Sequence, residues 1–342
     1  MAGSGRAFEF GTVGFFDNLA SYLEWLRVAE DTGYDLAGYG DTQNLIPDMF
    51  VGLTAAAMST SHIRLASIVT NPVTRHPSVM ASGASALQAV SGGRFSLGIA
   101  TGDSALRNIG ERPATVDQLE AYVRAVRGLG AGDEVEWNGR TMRLEWPVEP
   151  VPIWITAEGP RMMDLAGRLG DGVIFGNGLD REVIEDNIRR VEAGARSAGR
   201  DPREVEMWFL VKPHFAPSES AGWTDVSWTL AASANHAFRH SMDDKFVPAE
   251  LQPAIRRLID GYRSAEHNRG GAASHNGALV EDNGLLEFLG RRFLIAGNPA
   301  DIGERLQMLG AWGATKLIFP SIHGDKVGYT RRLWREVLEP LR

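Results

Sequence analysis

The chain has 342 residues, of which 44% are apolar and 23% charged, and its formal net charge is −8. That balance suits a globular fold with a sizeable core, and an acidic chain without a basic run gives nucleic acid and anionic lipid nothing to hold. No cysteine is present, which excludes disulfides, thiolate metal sites and cysteine nucleophiles and fits the cytoplasm.

The N-terminal residues lack a basic stretch followed by an apolar core, and no apolar run reaches membrane-spanning length, so neither a leader nor a membrane segment is expected. Short apolar runs then alternate with helical periodicity. Residues 8–13 read as a first strand and 18–32 as its helix. A second strand at 34–39 precedes a helix at 48–60. A third at 63–69 precedes a helix at 78–90. A fourth at 94–100 is followed by a helix at 119–129, and 134–144, with Trp137-Asn138-Gly139-Arg140 at its centre, reads as a small hairpin. The fifth strand, 152–156, precedes a helix at 161–169. The sixth, 172–175, precedes one at 181–198. The seventh spans 205–211. A last strand at 316–320 is followed by a closing helix over 326–341.

Strands that alternate with helices pair in parallel, because a tight hairpin cannot join parallel neighbours. Eight such units predict an α/β fold, a (β/α)8 TIM barrel forming one domain over residues 1–342. The rhythm breaks once, after strand seven. Residues 216–290 are too long for a simple loop, with a helix expected at 251–265 and a mobile Gly- and Asn-rich stretch at 267–277. Long loops in compact domains commonly serve as lids, and this one is read as an insertion over the barrel mouth.

Barrel active sites lie at the C-terminal ends of the strands. Glycines and polar residues crowd that rim here: Gly40-Asp41-Thr42, Thr70-Asn71, Thr101-Gly102-Asp103, Glu158-Gly159-Pro160, Gly176, Lys212 and Ser321. The Glu158-Gly159-Pro160 turn opens a helix, and a helix start with a glycine and free N–H groups favours a phosphate. It is equally the form of an ordinary helix start. His76, His214 and His323 all fall near strand ends, which makes His76 a catalytic candidate and His214 and His323 substrate contacts, alongside Phe15 just past strand one. Asp41 and Asp103 are the acid–base candidates, with helix capping or ion pairing as their alternative role. No metal-binding motif occurs, so no metal is expected.

Three segments carry a family resemblance: IVTNPVTRHPSVMASGASALQAVSGGRFSLGIATGD (68–103), TAEGPRMMDLAGRLGDGVI (156–174) and RRFLIAGNPADIGERLQ (291–307). With the first 45 residues they resemble the bacterial-luciferase-like flavin-dependent oxidoreductases over most of the chain, except about 216–285. The resemblance implies a flavin-type ring across the barrel mouth. It also implies a non-proline cis peptide at Ile68-Val69 and a cofactor bed of Ile68, Val69, Thr70, Asn71, Gly102 and Gly176, with the phosphate near Thr101, Glu158, Gly159 and Pro160. Asp41 corresponds to a ring-neighbouring position and Asp103 to one beside ring or substrate.

Two cofactors fit that pattern. Reduced FMN with oxygen implies a two-component monooxygenase supplied by a separate flavin reductase. Coenzyme F420, a 5-deazaflavin, implies a hydride-transferring reductase or dehydrogenase. The Thr-Asn-Pro-Val-Thr-Arg-His-Pro run resembles the deazaflavin-dependent methylenetetrahydromethanopterin reductases, but Thr42 stands where deazaflavin-using members commonly carry His. That departure puts reduced FMN first and F420 as the alternative. A non-catalytic flavin-binding protein is the further alternative, since fold alone does not confer activity. A small organic substrate and a homodimer or homotetramer complete the expectation.

Overall fold

The computed structural model describes residues 7–146, 148–263, 266, 270 and 274–342. Eight strands form a closed barrel: β1 (Glu9–Gly14), β2 (Leu36–Tyr39), β3 (Arg64–Ser67), β4 (Phe95–Ile99), β5 (Ile153–Thr156), β6 (Gly172–Phe175), β7 (Glu206–Leu210) and β8 (Lys316–Ser321). They follow one another around the barrel in chain order. All are parallel, and β1 closes on β8 from Glu9↔Lys316 to Gly14↔Ser321.

The surrounding helices are α1 (Leu19–Thr32), α2 (Met49–Ser59), α3 (Pro77–Val90), α4 (Val116–Gly130), α5 (Pro160–Leu169), α6 (Arg181–Ser197), α7 (Pro299–Ala311) and α8 (Lys326–Leu333). Their starts are legible chemistry. The side chains of Asn18 and Asp48 cap α1 and α2, and Thr115 with Gln118 forms a capping box on α4, satisfying N–H groups that the helix cannot pair itself. The closing helix ends earlier than expected, passing into a π-type turn over Trp334–Leu338.

The Ser91–Arg94 turn has a structural explanation. Gly92 and Gly93 adopt φ of 64° and 83°, which side chains with a Cβ resist. The turn delivers Arg94, whose guanidinium donates to the carbonyls of Ile63 and Ala57 at 2.9 Å and so ties the start of β4 to that of β3. In the expected hairpin, Val135–Trp137 pairs with Arg140–Met142. Asn138 and Gly139, both at positive φ, form the turn that antiparallel strands favour.

Val13, Leu36, Ala66, Trp154, Ile174, Trp208 and Ile318 fill the barrel interior. At its N-terminal end, Arg64 lies 5.2 Å and 5.9 Å from the Trp154 and Trp208 ring centres and pairs with Glu206 at 2.8 Å. Lys316 bridges Glu206 and Glu9. This floor is plugged, and ligand chemistry is confined to the other end.

The insertion folds as its own helical layer. After β7, Pro213–Phe215 pairs in parallel with Ile295–Gly297. Between them lie helices Glu219–Asp225, Ser227–Phe238, Gln252–Gly261, His275–Asp282 and Leu286–Phe293, packed around Leu230, Phe238, Ile255, Leu258, Val280 and Leu289. The stretch expected to be a mobile loop is corrected in part. His275–Asp282 is a helix, because Ser274 caps it through Gly277 N–H, while 267–269 and 271–273 lie outside the described residues. Among the described residues no helix is long and apolar enough to cross a membrane.

Candidate active site

The C-terminal ends of the strands open on a cavity of about 1230 Å³. A single drug-sized ligand usually occupies roughly 300–1,000 Å³, so this space can hold a cofactor and a substrate together. Asp41, Ile68, Val69, Thr70, Asn71, Thr101, Gly102, Asp103, Glu158, Gly159, Pro160, Gly176 and the outward Phe15 all border it. The Ile68-Val69 peptide bond is cis.

Asp41 is buried, and its Oδ2 accepts from Thr70 Oγ1 and from Arg75 Nη1, both at 2.5 Å. Arg75 also binds Asp48 at 2.7 Å, and Tyr122 OH donates to the Arg75 carbonyl at 2.8 Å. This chain of contacts fixes the end of β3 against that of β2. The Asp41 carboxylate is thereby committed to a guanidinium.

Asp103 is held on several sides. Arg239 lies 2.7 Å from Oδ1, Arg107 3.0 Å from the same oxygen, and His236 Nδ1 3.3 Å from Oδ2. Burial pushes the Asp103 carboxyl up, but His236, Arg239 and Arg107 outweigh it and hold the group below the usual carboxylate range.

Glu158 and Lys212 are two further titratable side chains in the cavity wall, both withdrawn from solvent. Burial pushes the Glu158 carboxyl up against the opposing pull of Arg239, Lys245 and Lys212. The same burial pushes the Lys212 amine down to about 8, with Glu158 opposing it. Lys212 donates to Ser233 Oγ on the Ser227–Phe238 helix, tying barrel to insertion.

The Gly159-Pro160 turn begins α5 without a side-chain cap, and a Cβ built on Gly159 would meet nothing within 4 Å. The helix start therefore faces open cavity. Thr156 and Ser321 also border the cavity, and their hydroxyls are buried without a protein partner. Buried polar atoms are normally satisfied, so these two mark where a polar ligand belongs. The volume, the open helix start and these hydroxyls fit a large phosphate-bearing ring cofactor. Among the described residues no three His, Asp or Glu side chains gather to hold a metal ion.

Three expected site residues lie elsewhere. His76 caps α3, accepting from Ser78 N–H at 3.3 Å, and meets the Trp137 ring edge-on at 6.4 Å, so the helix start rather than the cavity claims its ring. His214 stacks on His323 with ring centres 5.4 Å apart, and His323 lies 3.8 Å from the Tyr329 ring. The physical reason is the small sheet: at Pro213 the chain leaves the barrel to pair with Ile295–Gly297 and carries His214 with it. Conversely, sequence order concealed His236, Arg239 and His240, which the insertion brings to the cavity. They sit together at the C-terminal end of the Ser227–Phe238 helix, and their close spacing in sequence is the one available signal.

Residues 4–316 match the family described as Luciferase-like monooxygenase. The chain is 30% identical over 316 residues to a 5,10-methylenetetrahydromethanopterin reductase of Methanolobus tindarius, covering 88% of this chain and 90% of the relative. It is 25% identical over 340 residues to an F420-dependent glucose-6-phosphate dehydrogenase of Mycolicibacterium fortuitum, covering 93% and 92%. In fold it is similar to a coenzyme F420-dependent tetrahydromethanopterin reductase from Methanopyrus kandleri, with a TM-score of 0.79 at 22% identity over 98% of this chain and 99% of that one.

Proposed function

From the premise that the chain belongs to the luciferase-like monooxygenase family, where it is an oxidoreductase, we propose that it uses the 5-deazaflavin coenzyme F420 and moves a hydride between it and a small organic substrate. The observation that carries this reading is the near full-length similarity to a methylenetetrahydromethanopterin reductase, at 30% identity over 88% of the chain. The similarity to an F420-dependent dehydrogenase over 93% of the chain supports it. The order of the two cofactors expected from sequence is thereby reversed.

The chemistry of the walls agrees. The coenzyme supplies two electrons and a hydrogen as hydride; the protein supplies binding, orientation and a proton path. In this reading Gly159, Pro160 and Thr101 take the phosphate. Ile68, Val69, Thr70, Asn71, Gly102 and Gly176 form the bed for the ring, and Asp41 fixes that bed through Thr70. Phe15 and the insertion cover the substrate side, and Asp103 anchors the polar groups there. The cavity walls present Asp103, His236, Arg239 and Lys212, a polar lining suited to binding and orienting a polar substrate.

Reduced FMN with oxygen and a separate reductase is the second reading, favoured by one observation: Thr42 lines the cavity where deazaflavin-using members commonly carry His. Titrating the protein with F420 and with reduced FMN side by side separates the two. Turnover is then tested with 5,10-methylenetetrahydromethanopterin, glucose 6-phosphate and acetone as probes. We expect F420 to bind at least about tenfold more tightly, which corresponds to roughly 1.4 kcal/mol. Tighter binding of FMN with substrate-dependent oxygen consumption overturns the proposal. Tight binding without turnover of any compound favours a binding protein.

A further inference from the structure

We propose that His236, delivered by the insertion, is the residue that exchanges a proton with the substrate, and that Asp103 is the carboxylate that positions it. The proposal rests on the deazaflavin reading and adds a residue to it.

Three observations converge. First, His236 and Asp103 both border the cavity and lie 3.3 Å apart, Nδ1 to Oδ2. The barrel provides the carboxylate just after β4, and the Ser227–Phe238 helix provides the ring. Second, Asp103 is poorly suited to act as the acid. Its Oδ1 already faces Arg239 at 2.7 Å and Arg107 at 3.0 Å, and a carboxylate between two guanidinium groups stays ionised at neutral pH. That leaves the imidazole, 3.3 Å away, as the member of the pair whose side-chain chemistry allows proton exchange near neutral pH. Third, Thr42, which occupies the position after β2, reaches Ser104 at 3.4 Å. Ser104 is Asp103's neighbour in sequence, so Thr42 and His236 approach the same short segment. A threonine hydroxyl cannot exchange a proton near neutral pH; an imidazole can.

The charged and titratable groups around the pair are Arg239 and His240 beyond the same helix, Arg107 after β4, Glu158 after β5 and Tyr262 past the Gln252–Gly261 helix. In the reducing direction the substrate carbon of a C=O or C=N bond gains the hydride from the reduced deazaflavin. The π pair moves to the heteroatom, and the N–H bond of His236 breaks to protonate that atom. The imidazole is left neutral and Asp103 stays a carboxylate; the proton that the coenzyme would release on oxidation goes to solvent, from which His236 is reprotonated. Oxidation of the alcohol or amine runs the same transfers backward, with oxidised deazaflavin accepting the hydride.

The test has two arms. In the cofactor-free protein, nitrogen-detected NMR follows the His236 ring, assigned by its loss in His236→Gln. Its proton affinity is expected to fall about tenfold in Asp103→Asn. A ring that titrates identically in both proteins overturns the proposal. In the loaded protein, with whichever of the three probes above turns over, His236→Gln should lower kcat about 100-fold while the F420 Kd and the melting temperature hold. Asp103→Asn should move the pH–rate limb by the same interval that NMR reports, and the double variant should be no slower than His236→Gln alone. An unmoved limb, or full additivity, overturns it, since a merely structural ion pair would leave the profile in place. If F420 does not bind at all, the deazaflavin reading has failed, and the NMR arm alone still judges the pair.

Discussion

His323 packs between the His214 and Tyr329 rings. Burial, with the neighbouring His214 adding to it, pushes the imidazole down to about 4, against an ordinary value near 6.5. Between those values the unfolded chain binds a proton that the native ring refuses, so stability falls as pH drops from about 6.5 towards 4. His323→Phe keeps the stack and removes the titration; its melting temperature should fall less between pH 7 and pH 4.5 than that of the parent protein. Equal losses in thermal melts at both pH values would assign the acid sensitivity to other groups. Gly159 makes a contrasting case. A side chain there meets no protein atom within 4 Å, so Gly159→Val should leave the melting temperature unchanged. It should also weaken F420 binding at least about tenfold, roughly 1.4 kcal/mol, by filling the space over the helix start. Unchanged affinity in a fluorescence titration would move the phosphate elsewhere. Arg75 tests the Asp41 clamp: Arg75→Met strands a buried carboxylate. Breaking one side of a buried pair costs about 3–5 kcal/mol, which a urea midpoint should register.

At the scale of elements, a buried guanidinium adds a further tie between the insertion and the barrel. Arg292 is 1% exposed and donates to the carbonyls of Asn177 at 3.0 Å and Lys245 at 2.8 Å, with the Phe238 ring centre 5.1 Å away. Arg292→Met leaves both carbonyls without that donor, at about 1–3 kcal/mol for each buried unsatisfied group. The expected outcome is a lower melting temperature with earlier protease cleavage between residues 239 and 263. Unaltered digestion would mean that the helical core of the insertion suffices alone. The barrel elements were legible because each strand is a short apolar run and most of the helices open on a capping side chain or a proline. The strand ends differ by a residue or two where pairing, not composition, sets the limit. The rim residues followed, since a parallel barrel places every strand's C-terminal end on one face. The same rule misled for His214 and His323, where the chain has already left the barrel. It said nothing of His236 or Arg239, which owe their position to tertiary packing of a helix that no strand points to.

For the whole molecule, the neighbouring helices α2 (MFVGLTAAAMS) and α3 (PSVMASGASALQAV) carry no charged residue. Yet Met58 is 77% exposed and Val51, Val79 and Val90 are each at least half exposed. A charge-free apolar surface spread over two adjacent helices is unusual for a monomer, and a second copy presenting the same face across a two-fold axis would cover it. Light scattering after gel filtration should give a homodimer, and the pair Met58→Asp with Val79→Glu should give a monomer with the barrel still folded. A monomeric parent protein would end this reading. The short parallel pair of Pro213–Phe215 with Ile295–Gly297 has its own effect at this scale. It sets the two ends of the intervening segment one strand spacing apart, about 4.8 Å. To the barrel, residues 216–294 are therefore a detour that leaves and returns at one doorway, and Arg292, one of its fastenings, travels within it. A duplicated gene can exchange that segment for another whose ends meet at the same spacing. The barrel's own rim would be inherited intact while substrate choice, and the proton-exchanging group that the segment carries, change in one genetic step, so divergence in this lineage should concentrate between those two strands.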